Sequence, residues 1–153
     1  MALSVIIALY IGMGLMAAAG SVAIAKTVLS PTAEQLIFGL VLVPIAGFYG
    51  AFTAYVGHAG AWRLEAGAVA VCAVLGVLGS RVPVVVLLGY GLHGLWDLRH
   101  ALQAHAGLDF ATRTVTAMPL AYGAFCATYD GCLAAYFSSR RRQWRVAWGA
   151  PAR

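Results

Sequence analysis

Five long apolar runs, set apart by short polar breaks, make up nearly the whole chain. They cover residues 2–25, 36–56, about 62–79, 83 to about 104, and 119–137. At about 1.5 Å per residue, runs of this size approach the roughly 30 Å thickness of a bilayer's hydrocarbon core. The pattern predicts an all-α integral membrane bundle of five transmembrane helices. A four-span bundle, in which the first or third run does not cross, is the alternative. The breaks carry suitable chemistry. Ser30-Pro31-Thr32 reads as a helix-initiating turn before the second run, and Pro83 and Pro119 each suit a first helical turn. Pro44, inside the second run, predicts a kink. In the third run Ala68, Cys72, Gly76 and Ser80 recur at every fourth position, a smooth stripe on which another helix can approach closely. The Ala-Ile-Ala before Lys26 resembles a signal-peptide cleavage site, but no Lys or Arg lies near Met1, so the first run is expected to be retained.

Composition agrees with a membrane location. Only 10% of the 153 residues are charged and 62% are hydrophobic, with a mean hydropathy of +0.85; a soluble domain carries about 25% charged residues. The net charge of +5 does not form a nucleic-acid face. It is concentrated in RRRQWR, where Arg140, Arg141, Arg142 and Arg145 follow the last apolar run. Such a cluster marks the cytoplasmic side and meets anionic headgroups. The reading is a cell-membrane protein with its N-terminus outside, one transmembrane domain over residues 1–138, and a basic cytoplasmic tail over 139–153. Lys26 and Arg81 then join the cytoplasmic side, while Arg63, Arg99 and Arg113 fall outside. Trp62, Trp144 and Trp148 read as interface anchors. Cys72, Cys126 and Cys132 show no pairing pattern and read as small buried hydrophobes.

Against this background the stretch HGLWDLRHALQAH stands out. His93, Asp97 and His100 lie at i, i+4 and i+7, on one helix face within about 40°. On the fifth run Tyr122, Cys126 and Asp130 form a second polar stripe. Counting along the spans puts Glu65 level with His100, and Tyr49, Thr53, Tyr55 and His58 in the same half of the second helix. His105, Asp109 and Arg113 are assigned to the following loop, and Gly131 to a local opening of the last helix. An aspartate at the centre of a span costs about 3 kcal/mol, against about 0.3–0.6 returned by each Leu or Val. Such groups need a partner, a water cavity or a bound ion.

Three chemistries are open. A metal-assisted enzyme would use His93, Asp97 and His100 as ligands to zinc, iron or manganese, completed by Asp130 or Glu65. A metal-free cyclase or isomerase would use Asp97 and Asp130 as acid and base, with His93 and Glu65 in the catalytic set. Its substrate would be a lipid- or isoprenoid-like molecule against Tyr90, Trp96, Tyr122, Phe125 and Tyr129, with Tyr136 nearby. The third reading is interhelical hydrogen bonding in a non-catalytic subunit, or an ion or proton path built by a homo-oligomer. Expected partners are membrane lipid and a hydrophobic small molecule, not nucleic acid. Arg99 either snorkels to the headgroups or pairs with Glu65 or an acidic ligand.

HGLWDLRH, followed by MPLAYGAFCATYDGCLAAYF, resembles an uncharacterised family of small prokaryotic integral membrane proteins. In that family a His-x-x-x-Asp-x-x-His-His run precedes a proline-led last helix with Cys-x-x-x-Asp. His93, Asp97, His100, Cys126 and Asp130 match, and YVGHAGAWRLEAG resembles an earlier segment that carries Glu65. Ala101 stands where the resemblance implies a further histidine. The likeness covers about the last two-thirds of the chain and implies a fold, but no activity.

Overall fold

The computed structural model describes residues 2–56, 59–105, 116 and 119–149. The described residues form five α-helices, with no strand among them. They are α1 (Ala2–Val28), α2 (Pro31–Val56), α3 (Trp62–Gly79), α4 (Pro83–His105) and α5 (Leu120–Ala147), with a single 3₁₀ turn at Ala59–Ala61 leading into α3. The helices α1, α2 and α3 are long and apolar enough to cross a membrane by length and composition. Most of the ionisable side chains lie on α4 and α5, which do not reach that level.

Helices α2 and α5 run furthest beyond the apolar pattern, and both extensions have a cause. Helix α2 begins at Pro31 because the Ser30 hydroxyl accepts the Ala33 N–H at 3.3 Å, capping the first turn. That turn brings Glu34 and Gln35 into the bundle, fully buried. Helix α5 runs on through the arginine cluster, because Tyr136, Arg140, Trp144 and Trp148 recur at every fourth position and face α2. Residues 139–147 are therefore helical. Trp144 is fully buried in the core, not an interface anchor. The α4 backbone continues to His105, which is helical, and α5 passes Gly131 without a break. Pro44 lies inside α2 and does not end it.

Helix α5 is the hub. It packs most extensively on α4 and carries α1 on another side, while α3 lies between α2 and α4. The core is formed by Phe38 and Leu42 of α2, Val86 and Tyr90 of α4, and Leu133, Phe137 and Trp144 of α5. Glycines set the closest approaches. A Cβ on Gly39 would lie 2.5 Å from Ser80 N, and one on Gly76 would lie 2.6 Å from Gly39 O. The small-residue stripe thus meets α2 backbone to backbone through Gly76 and Ser80. Between α4 and α5, a Cβ on Gly94 would lie 3.1 Å from the Asp130 Cβ, and one on Gly123 only 2.8 Å from the Ala101 Cβ. The approach at Gly94 brings Asp130 against His93. The approach at Gly123 explains Ala101, since an imidazole there would have to enter the α4–α5 contact.

At the end of the bundle where α2 begins, Glu34 accepts hydrogen bonds from four donor groups. Arg140 Nη2 and Nε donate to Oε2 at 2.6 and 3.2 Å, Trp144 Nε1 donates to the same oxygen at 3.0 Å, and the Tyr136 hydroxyl donates to Oε1. The hydrogen bond to Glu34 holds the Arg140 guanidinium above its ordinary pKa range. Next to this pair, Gln35 donates to Gly79 O at 2.8 Å and accepts from Trp148 Nε1 at 3.1 Å, and the Arg81 guanidinium lies 4.2 Å over the Trp148 ring. The α1–α2 and α3–α4 connections are thereby tied to the end of α5.

Candidate metal centre

His93 and Asp97 are one turn apart on the buried face of α4, and Asp130 faces them from α5. His93 Nδ1 lies 2.6 Å from Asp130 Oδ2 and 3.2 Å from Asp97 Oδ2, with each side chain 3% exposed or less. A single Nδ1–H cannot point at both carboxylates, and the shorter contact is the hydrogen bond. From α2 the Tyr49 hydroxyl donates to Asp97 Oδ1. Each of the three residues keeps one buried atom without a hydrogen-bond partner among the described residues: His93 Nε2, Asp97 Oδ2 and Asp130 Oδ1. Unpaired polar atoms at this depth are costly unless something binds them. One coordinating atom from each of the three residues lies within 4.8 Å of the others. One imidazole and two carboxylates suit zinc, iron or manganese. A small cavity of about 20 Å³ adjoins the cluster, lined by Tyr49, Phe52, His93, Asp97, Tyr122 and Cys126. It has room for about one water-sized group.

His100 belongs to a second cluster. Its Nε2 lies 2.9 Å from Glu65 Oε1, and its Nδ1 lies 2.8 Å from the Trp96 carbonyl oxygen. Glu65 also accepts the Thr116 N–H at 2.7 Å and the Trp96 indole N–H at 3.1 Å. With both ring nitrogens directed at acceptors, His100 has no lone pair aimed at the His93 cluster. The two clusters adjoin through Tyr49, whose ring centroid is 5.5 Å from that of His93 and 4.6 Å from that of His100. Thr53 Oγ1 donates to Tyr49 O at 2.7 Å and lies 2.6 Å from Thr116 Oγ1, so α2 also holds Thr116.

The structure thus brings His93, Asp97 and Asp130 together and seats His100 with Glu65, the pair expected to share a level. The aromatic residues divide. Tyr122 and Cys126 reach the cavity. Tyr90 is a core residue whose hydroxyl donates to Phe38 O at 3.0 Å. Phe125 stacks on Tyr129 with ring centroids 6.2 Å apart, and Tyr129 bonds Ser21 of α1, away from His93. Trp96 is held by Glu65, with the Arg99 guanidinium 5.0 Å over its ring. Tyr136 serves Glu34. His58, Asp109 and Arg113 lie outside the described residues.

Sequence reasoning missed the Glu34 cluster altogether, and it placed Tyr49 by depth without assigning it to Asp97. The four-residue repeat of Tyr136, Arg140, Trp144 and Trp148 was the available signal for the first. No family model matches the chain, and no curated protein or solved structure matches it either.

Proposed function

We propose that this protein is a membrane-embedded enzyme in which His93, Asp97 and Asp130 hold one divalent metal ion and the substrate is a hydrophobic small molecule. One observation carries this reading: three buried ligand atoms converge from two helices, and each of the three residues keeps an atom that no other side chain satisfies. The proposal includes five membrane crossings, with the arginine-rich end of α5 in the cytoplasm, and membership of the small membrane-protein family that HGLWDLRH and CATYD resemble.

The residues around the centre have distinct roles in this reading. Tyr49 orients Asp97 by holding one of its oxygens, as partners of ligating carboxylates do. Tyr122 and Cys126 border the cavity into which an open coordination position would point. A metal there would supply Lewis acidity and an activated water. The chain's own groups exclude bulk water and shape access. The cavity takes only the reacting end of a long molecule, reached from the lipid side between α2 and α5 past Phe48 and Phe52, where the two helices touch only sparsely. Glu65 and His100 are positioning residues on this account, with Tyr49 as their link to the centre.

The test is elemental analysis of the detergent-purified protein from cultures supplied with zinc, iron and manganese in turn. About one equivalent of a single transition metal per chain, surviving dialysis, is expected. Substoichiometric metal under all three supplies contradicts the metal reading. Asp97 and Asp130 would then stand as a metal-free acid–base pair, which the Tyr49–Asp97 and His93–Asp130 hydrogen bonds favour as the second reading.

A further inference from the structure

A much larger concavity lies on the α3 side of α4. It measures about 390 Å³, within the size range of small-molecule sites. Gly67, Ala68, Val71 and Cys72 of α3 form one wall, and Leu92 and Trp96 of α4 form the other. The hollow exists because α3 presents small residues where α4 presents an indole. A Cβ built on Gly67 meets nothing within 4 Å. The indole wall is fixed from both sides, by the hydrogen bond to Glu65 and by the Arg99 guanidinium over the ring. At the end of the groove stands Arg63, exposed and in no ion pair among the described residues. It lies in the first turn of α3, whose N-cap, Ala61, offers no side-chain acceptor to the turn's N–H groups. Positive charge at the mouth and an apolar trough below it are the two halves of an anionic lipid's complement.

We infer that this groove holds one membrane lipid with an anionic headgroup, its phosphate at Arg63 and one acyl chain along Gly67, Val71 and Leu92 beside Trp96. The inference rests on the membrane reading, but not on the metal. The bound lipid would sit one hydrogen bond from Glu65, through Trp96, and so against the cluster that adjoins the metal centre.

Native mass spectrometry of the purified full chain, titrated with phosphatidylglycerol and phosphatidylcholine of equal chain length, tests it. Wild type should retain one phosphatidylglycerol with about a tenfold preference over phosphatidylcholine. Arg63→Gln should level that preference while keeping chain binding. Gly67→Phe, which fills the trough where there is open space, should reduce retention of both lipids by about tenfold or more. Val71→Trp, at an exposed position on the same wall, provides the same test if Gly67→Phe does not fold. Metal content is measured in the same samples. Lipid loss at unchanged metal content supports the site. Equal retention of the two lipids by wild type, or wild-type retention in the filled variants, overturns it whatever the metal does.

Discussion

His93→Ala and Asp130→Asn are each expected to lower metal affinity at least about a hundredfold, while His100→Ala leaves the metal in place. The two histidines share a helix face, but seven residues of α-helix separate them by about 10.5 Å along the axis. Both His100 ring nitrogens are turned to Glu65 and the Trp96 carbonyl, and it is Asp130 that lies 2.6 Å from His93. Asp130→Asn is the informative variant because it keeps the shape and a hydrogen-bond acceptor beside Gly94 while removing the charge. Competition with a chromophoric chelator reads the affinity, and circular dichroism checks that the helices persist. Retention of metal by His93→Ala together with its loss from His100→Ala would place the centre at the Glu65 cluster instead. Tyr49→Phe should fall between these extremes, weakening binding about tenfold by releasing Asp97.

Glu34→Ala is expected to destabilise the fold more than any comparable change at the metal centre, by about 3 kcal/mol. The carboxylate is fully buried, and its removal deprives Arg140, Tyr136 and Trp144 of their common acceptor. Arg140 is 16% exposed, so part of the loss is recovered as the guanidinium turns outward; the estimate therefore sits at the low end for a broken buried pair. Glu34→Gln keeps an acceptor for the indole and phenol and should recover part of the stability. Thermal unfolding in detergent, followed by intrinsic fluorescence, measures both variants. A melting temperature for Glu34→Ala equal to wild type would show that the cluster is incidental to the fold.

These two sites differ in how far the sequence discloses them. His93, Asp97 and Asp130 were legible as two polar stripes because each lies where an apolar run should have excluded it, and a costly residue implies a partner. Depth counting also paired Glu65 with His100, since short connections leave little freedom in register. What spacing could not reveal was which stripe residues meet. Helix angle puts His93 and His100 on one face, while rise separates them, and the close approach at Gly94 decides for Asp130. The helix ends were obscured for a related reason. The apolar pattern stops at Leu36 and Phe137, but a serine cap and a buried Glu34–Arg140 pair carry α2 and α5 beyond those points. Hydropathy records the charge on these residues, not its neutralisation by a partner from another helix. Tyr90 and Trp144 were misplaced in the same way, because an aromatic side chain looks alike in sequence whether it lines a site, anchors at an interface or fills the core.

The most direct measurement is X-ray absorption spectroscopy at the edge of whichever metal copurifies. The expected first shell contains one imidazole nitrogen, from His93, with the remaining ligands oxygen from Asp97, Asp130 and water, and it disappears in Asp130→Asn. A shell with two imidazoles, or one unchanged by that substitution, would contradict a centre built across α4 and α5.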